Sequence, residues 1–325
     1  MSPIVFVRIL LAAAVYALPT QARPAASAKP AQPAKSASFD AGIERQVALD
    51  RAGFSVGIID GAPGSNTRKA EAAYQAANGG PTPAGATPAL TQYTITAADA
   101  AGPFLENIPE DMAAKSKLPG LYYSSVAEAL GERFHTSPEV LKRLNPSATF
   151  AAGDTLMVPN VIVVEMPATG PATATAAAAP KAAAAPKPPA VTVTVSKSTS
   201  AATVTDASGK VIFYAPVTSG SEHDPLPIGK WAVTAIVRNP SFNYNPDLFW
   251  DAEPGDTKAK IPAGPNGPVG VVWIDITKPH YGLHGTPEPR TIGHTQSHGC
   301  VRLTNWDAMR LAALVSKGTT VVFTR

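Results

Sequence analysis

Every residue from Pro167 to Pro189 is Ala, Pro, Thr, Gly or Lys. A run without large apolar side chains cannot bury enough surface to offset the entropy of ordering it. Its prolines favour an extended, semi-rigid spacer. Whatever folds before this run must therefore build a core separate from whatever folds after it, and the last boundary falls near Thr192. A shorter stretch rich in Ala, Pro, Lys and Ser, Arg23 to Ser38, reads as a first tether. The 325 residues leave room for two or three ordinary domains. The net charge of +3 is carried by scattered Lys and Arg, so no basic stripe marks a nucleic-acid partner.

Met1 to Ala28 opens with Arg8, followed by the apolar run Ile9 to Leu18, then Pro19 and small residues through Ala22. This is the layout of a secretory signal peptide. The run is shorter than the ~20 residues that span a bilayer, so no stable membrane span is expected after signal cleavage. Export sharpens the meaning of Cys300, the only cysteine. In an oxidising compartment cysteines usually pair, and an unpaired thiol there is kept for reactivity or an intermolecular link more often than for packing.

Between the tethers, Ile43, Val47, Leu49 and Phe54 follow helical spacing until Gly53, Gly57, Gly61 and Gly64 break it into a loop. A second helix is expected from Asn66-Thr67, its cap preceding Arg68, with Ala70, Ala73, Tyr74 and Ala77 on one face. The residues Gly53-Phe54, Ile59-Asp60-Gly61, Gly64, Thr67 and Tyr74-Gln75 resemble a peptidoglycan-binding helical repeat over 39–80. Further on, Val126, Leu130 and Phe134 suggest one helix, Pro138 to Leu144 a second, and Asp154 to Pro159 a closing strand. Ala129 to Phe134, Leu141, Leu144-Asn145-Pro146, Gly153 to Leu156 and Val158-Pro159 resemble a LysM carbohydrate-binding module, although its opening strand is poorly matched.

From Val191 the period turns to two. Val191, Val193 and Val195 alternate with Thr and Ser, Ala207-Ser208-Gly209 makes a turn, and Val211 to Tyr214 begins the next strand. Trp231 to Val237, Val269 to Ile276 and Thr319 to Phe323 continue the series. One helix, Trp306 to Val315, is expected to start from Asn305 and stop near Gly318.

His280, His284, His294, His298 and Cys300 lie in one short stretch of a chain with six histidines. A thiol with a pKa near 8.5 is only a few per cent ionised at neutral pH, so a nucleophilic cysteine needs a proton acceptor. His284 is far enough away to lie on a neighbouring strand. His298, two residues from Cys300, stands ~6–7 Å from it along a strand and takes a supporting part. Glycines such as Gly285 and Gly299 leave room for a substrate backbone, and a cysteine after glycine can offer its own amide to an oxyanion. The same His and Cys set is also the composition of a zinc site, and a lone thiol is often only buried structure.

His284-Gly285-Thr286, Ile292-Gly293, Ser297-His298-Gly299-Cys300-Val301-Arg302 and Asn305 resemble the signature of the L,D-transpeptidase (YkuD) catalytic domain. Val217 to Gly220, Pro227 to Trp231 and Gly264 to Gly270 extend the likeness over about 192–325. The resemblance implies that Cys300 attacks the L-centre carbonyl of diaminopimelate in a tetrapeptide stem, expelling D-alanine and leaving a thioester. An amine of a second stem then resolves it to a 3→3 cross-link. His284 becomes the base, Ser297, His298 and Gly299 the supports, and Arg302, Gly285 and Thr286 the substrate contacts. A planar guanidinium at Arg302 suits a carboxylate. His280 and His294 match no family position, and neither metal nor cofactor is implied. Leu226-Pro227 and the long insertion Asn239 to Pro262 depart from the family pattern and bear on substrate range.

The expected chain is multidomain: signal peptide 1–28, linker 29–38, a small helical domain 39–80, a connector 81–120, a small α/β LysM-like module 121–161, an Ala/Pro-rich linker 162–190, and a mostly β catalytic domain 191–325. The last is expected as a YkuD-like β-sandwich with edge helices. The implied partners are peptidoglycan stem peptides and glycan, with an outer-membrane lipoprotein as an alternative acceptor. The implied place is the periplasm. A reading from another class, a non-catalytic wall-binding protein working through residues 39–160, predicts that removing everything after Ala190 leaves function untouched.

Overall fold

A computed structural model describes residues 37–81, 88–167 and 190–325; the expected export signal, most of the first tether and the spacer over 168–189 lie outside them. Helix α1 (Ala37–Arg51) buries Phe39, Ile43, Val47 and Leu49, as its spacing predicts, and absorbs Ser38 from the expected tether. The loop after it turns at Gly53, Gly57 and Gly61, all with positive φ. Helix α2 (Ser65–Asn78) starts one residue earlier than expected, and its cap position is Gly64, without a side-chain cap.

The expected connector is not featureless. It contains β1 (Leu90–Thr94), α3 (Ala97–Ala100) and α4 (Met112–Lys115). Beyond it come α5 (Val126–Arg133), α6 (Pro138–Leu144) and β2 (Thr155–Pro159). Ser125 and Ser137 cap α5 and α6, and Pro138 stands in the first turn, where its missing N–H costs nothing. Strand β1 pairs antiparallel with β2 from Leu90 opposite Pro159 to Thr94 opposite Thr155. The strand that pairs with β2 thus lies well before residue 121, where the module was expected to start.

The C-terminal region contains β3 (Thr192–Ser196), β4 (Ala201–Thr205), β5 (Val211–Pro216), β6 (Thr218–Ser219), β7 (Gly229–Arg238), β8 (Phe242–Tyr244), β9 (Ala259–Ile261), β10 (Val272–Ile276), β11 (Gly282–His284), β12 (Val301–Arg302), α7 (Asn305–Leu314) and β13 (Thr320–Thr324). Nine of these strands order as β5-β4-β3-β13-β7-β10-β11-β12-β6. The long strand β7 passes between two halves: Gly229 to Ala232 pair with β13, and the remainder with β10. Side chains of both halves, Val193, Val204 and Phe213 from one and Ile274, Leu283 and Val301 from the other, meet α7 in one apolar core. Helix α7 begins at Asn305 with Thr304 as its cap, a correction to the expectation that Asn305 itself caps it.

The N-terminal elements and the catalytic region do not keep separate cores. Ser36 to Arg325 is one compact unit. A second core joins Phe39, Ile43 and Phe54 to Leu130, Leu141, Leu156 and Val158, and then to Ala201 and Tyr214 of the C-terminal sheet. A spacer rules out continuous packing along the chain, but not docking of the pieces it joins. A third, smaller cluster of Leu121, Tyr244 and Ile261 packs the insertion over β8 and β9 against the former connector.

Candidate active site

Strands β11 and β12 run parallel, with Leu283 opposite Val301 and His284 opposite Arg302. Leu283 and Val301 both belong to the apolar core. Side chains alternate along a strand, so their neighbours His284, Arg302 and, one residue before β12, Cys300 lie toward the opposite face. Diagonal neighbours on such a face are about 7–8 Å apart at the backbone. The register thus sets Cys300, one residue before β12, diagonal to His284 across the two strands.

The imidazole of His284 is buried and stacks on Trp273, ring centroids 5.3 Å apart. Its Nδ1 lies 2.7 Å from the Gly285 carbonyl oxygen. A carbonyl only accepts, so Nδ1 carries the ring proton and Nε2 is left with its lone pair. Burial, reinforced by the positive charge of Arg302, pushes the His284 pKa down to about 4. At neutral pH this histidine is an uncharged proton acceptor.

Cys300 is half-buried, and its Sγ donates to the His280 carbonyl at 3.7 Å. Burial raises the thiol pKa, while the Gly282 amide and Arg302 pull it the other way. Burial thus favours the uncharged form of both groups. Ser297 holds the turn that presents the thiol: its Oγ donates to the Cys300 carbonyl at 2.6 Å and accepts from the Gly220 amide at 2.8 Å.

The other expected site residues divide. His298 binds Asp251 of the insertion, Nε2 to Oδ1 at 2.7 Å, and its ring packs edge-on to Phe249. It thus ties the insertion to the nucleophile's turn. Gly299 has φ +99°, and a Cβ there would strike the Tyr281 ring at 2.5 Å. Gly285 is tight for another reason: a Cβ would come 2.1 Å from Asn305 Oδ1. The close approaches at these glycines come from Tyr281 and Asn305. Thr286 is buried, and its Oγ1 accepts from the Glu288 amide at 3.2 Å, closing a local turn.

Asn305, quoted in the signature but given no part there, is the residue the sequence reading undervalued. Its Oδ1 accepts from the Val271 amide at 3.1 Å and its Nδ2 donates to the Pro265 carbonyl at 3.2 Å. It clamps the loop before β10 against Gly285, whose carbonyl fixes the His284 tautomer. The paired glycines Gly270 and Gly285 are the only trace of this in the sequence, and both are shaped around the same Asn305 oxygen.

Residues 190–323 match the family model described as YkuD, the L,D-transpeptidase catalytic domain. Bacillus subtilis (strain 168) YkuD, an L,D-transpeptidase by name, is 46% identical over 61 residues, covering 19% of this chain and 37% of the relative. Escherichia coli (strain K12) ErfK/SrfK, also an L,D-transpeptidase by name, is 33% identical over 131 residues, 36% of this chain and 42% of the relative. The chain thus spans well under two thirds of the length of these relatives. Among solved structures, L,D-transpeptidase 3 of Mycobacterium tuberculosis in complex with a faropenem-derived adduct aligns at 21% identity and TM-score 0.36, covering 42% of this chain and 61% of that one. The C-terminal domain is a YkuD-type L,D-transpeptidase catalytic domain.

Proposed function

We propose that the protein is an exported peptidoglycan L,D-transpeptidase in which Cys300 is the nucleophile and His284 its base. The observation that supports this reading is the parallel pairing of β11 with β12, in which His284 lies opposite Arg302 and diagonal to the register position of Cys300. The thiol turns from the His280 carbonyl toward His284 and gives its proton to Nε2. Its sulfur attacks the carbonyl carbon of the diaminopimelate L-centre in a tetrapeptide stem. The imidazolium protonates the nitrogen of D-alanine as the C–N bond breaks, leaving a thioester on Cys300. A side-chain amine of a second stem then loses a proton to His284, attacks the thioester and releases the thiol. The amides of Gly299 and Cys300 are the donors assigned to the oxyanion. Arg302 holds a stem carboxylate and, by its charge, keeps His284 neutral between steps.

The N-terminal elements are read as a peptidoglycan-binding-like helical hairpin and a LysM-like module, which hold the enzyme on the wall in the periplasm. The antiparallel pairing of β1 with β2 and the core shared with the catalytic domain support that reading. Water or an outer-membrane lipoprotein lysine would serve the same thioester as acceptor. Incubating the protein with disaccharide-tetrapeptide should release D-alanine and add the stem mass to Cys300. Cys300→Ala should lower turnover by at least ~10⁴-fold with the melting temperature retained. Absence of both D-alanine and adduct in the wild-type protein rejects the reading.

A further inference from the structure

Helix α5 packs against α7, and His135, just beyond α5, stacks on Trp306 in the first turn of α7. The same approach buries Glu132, in the last turn of α5, beside Asn305, which opens α7. A carboxyl buried between two helices costs stability that an apolar side chain of similar volume would not. Glu132 Oε2 and Tyr123 Oη are both buried there with no hydrogen bond completed among the described residues. Burial pushes the Glu132 pKa up to about 8, while the Asn305 amide and the Tyr123 phenol, which face the carboxyl, pull it the other way. At neutral pH the group is therefore mainly an uncharged acid whose carbonyl oxygen can accept a hydrogen bond.

Asn305 has one hydrogen left to give. Its Oδ1 accepts from the Val271 amide, and one N–H of its Nδ2 goes to the Pro265 carbonyl. An amide nitrogen carries a second hydrogen, and the Glu132 carboxyl is the acceptor that faces it. The placing of this amide matters to the base. A Cβ on Gly270 would come 2.0 Å from Asn305 Oδ1 and one on Gly285 would come 2.1 Å from it, so both loops close directly onto that oxygen. Gly285 in turn supplies the carbonyl that receives the His284 Nδ1 proton. Residues next to Tyr123 hold the same loop from another side: the Leu121 amide donates to the Ala263 carbonyl, and Asn266 Nδ2 donates to the Tyr122 carbonyl, both at 2.9 Å.

We propose that Glu132 is a positioning residue for the catalytic base: by accepting from Asn305 it holds the Gly285 carbonyl where that carbonyl fixes the His284 tautomer, so that docking of the N-terminal elements sets the orientation of the imidazole. The part in turnover rests on the function proposed above; the hold on the ring does not. The test follows the ring nitrogens of His284 by nitrogen NMR in the full chain carrying Cys300→Ala, with the signals assigned by their loss in His284→Asn. One protonated and one bare nitrogen are expected at neutral pH. In Glu132→Leu the two signals should move toward each other as the second tautomer becomes populated, whereas Glu132→Gln, a neutral acceptor of the same length, should keep the original pattern. In the active chain Glu132→Leu should lower kcat about tenfold or more with KM little changed, and Glu132→Gln should stay within about twofold of the unsubstituted protein. A melting curve on each variant identifies misfolding; if Glu132→Leu does not fold, Glu132→Asp, one methylene short of Asn305, takes its place. A folded Leu or Asp variant with the original nitrogen pattern or an unchanged kcat overturns the proposal, and so does a Gln variant that loses the pattern. If the nitrogen signals behave as expected but the unsubstituted chain releases no D-alanine, it is the transpeptidase reading that fails.

Discussion

Two histidines of this protein sit in nearly matching surroundings but face different partners. His135 and His284 are both buried, both stacked on a tryptophan, Trp306 at 5.4 Å and Trp273 at 5.3 Å, and both near an arginine. His135 Nδ1 faces a carboxylate, Asp50 Oδ2, at 3.1 Å, whereas His284 Nδ1 faces a backbone carbonyl at 2.7 Å. The carboxylate belongs to a buried charge network. Arg310 donates to Asp50 Oδ2 and to the Asp50 carbonyl, both at 2.9 Å, and Ser55 donates to Asp307 at 2.7 Å. Burial alone would raise the Asp50 pKa, but His135 and Arg310 carry it below the usual carboxylate range. A charged partner makes a histidine part of the frame. A carbonyl partner orients the ring and leaves its other nitrogen free, while burial and Arg302 hold it uncharged.

The largest expected effect breaks this contrast at its catalytic end. His284→Asn should lower stem turnover by about 10³- to 10⁴-fold, measured as D-alanine release. A loss below tenfold would show that the ring nitrogen is not the base. At the structural end, Arg310→Met leaves Asp50 and Asp307 buried without their cation and should cost about 3–5 kcal/mol by denaturant unfolding, while Asp50→Leu combined with Arg310→Met should cost less than Arg310→Met alone. Equal costs would mean that the network is not acting as a charge pair. The smallest effect concerns pH. The His284 pKa is depressed to about 4, so the base form persists as pH falls through 6.5, and the acid limb of kcat/KM should lie near 4. The same depression means that folding stability begins to fall below 6.5 and keeps falling toward 4, because the unfolded chain binds the proton first. Arg302→Met should move the acid limb upward, but not fully to 6.5, since burial is the larger cause.

Much of the catalytic domain was legible because its signals are local. Alternating valines placed β3, the clustered histidines and the lone cysteine marked the site, and Pro138 after Ser137 marked the start of α6. Two-residue strands such as β6 and β12 carry no periodicity, so the pairing of His284 with Arg302 was not readable. Strand β1 stayed hidden for a related reason: its partner lies beyond four helices, and its own residues are half-exposed or exposed. Contacts between residues distant along the chain, such as Ser55 with Asp307, leave no spacing rule behind. For that reason the docking of the N-terminal elements on α7 was missed, and a chain of tethered beads was expected instead.

Leu121 directly follows a stretch first read as mere connector, and Ala263 and Asn266 exchange backbone hydrogen bonds with it, while at Gly264 the two backbones lie so close that a Cβ would fall 2.1 Å from the Leu121 oxygen. That crossing anchors the insertion that reaches Asp251 and, through it, His298. A fragment trimmed to the catalytic domain alone would therefore lose the anchor of its insertion and strip the cover from Ile261 and Tyr244. Dividing such an enzyme at its spacer yields two incomplete halves.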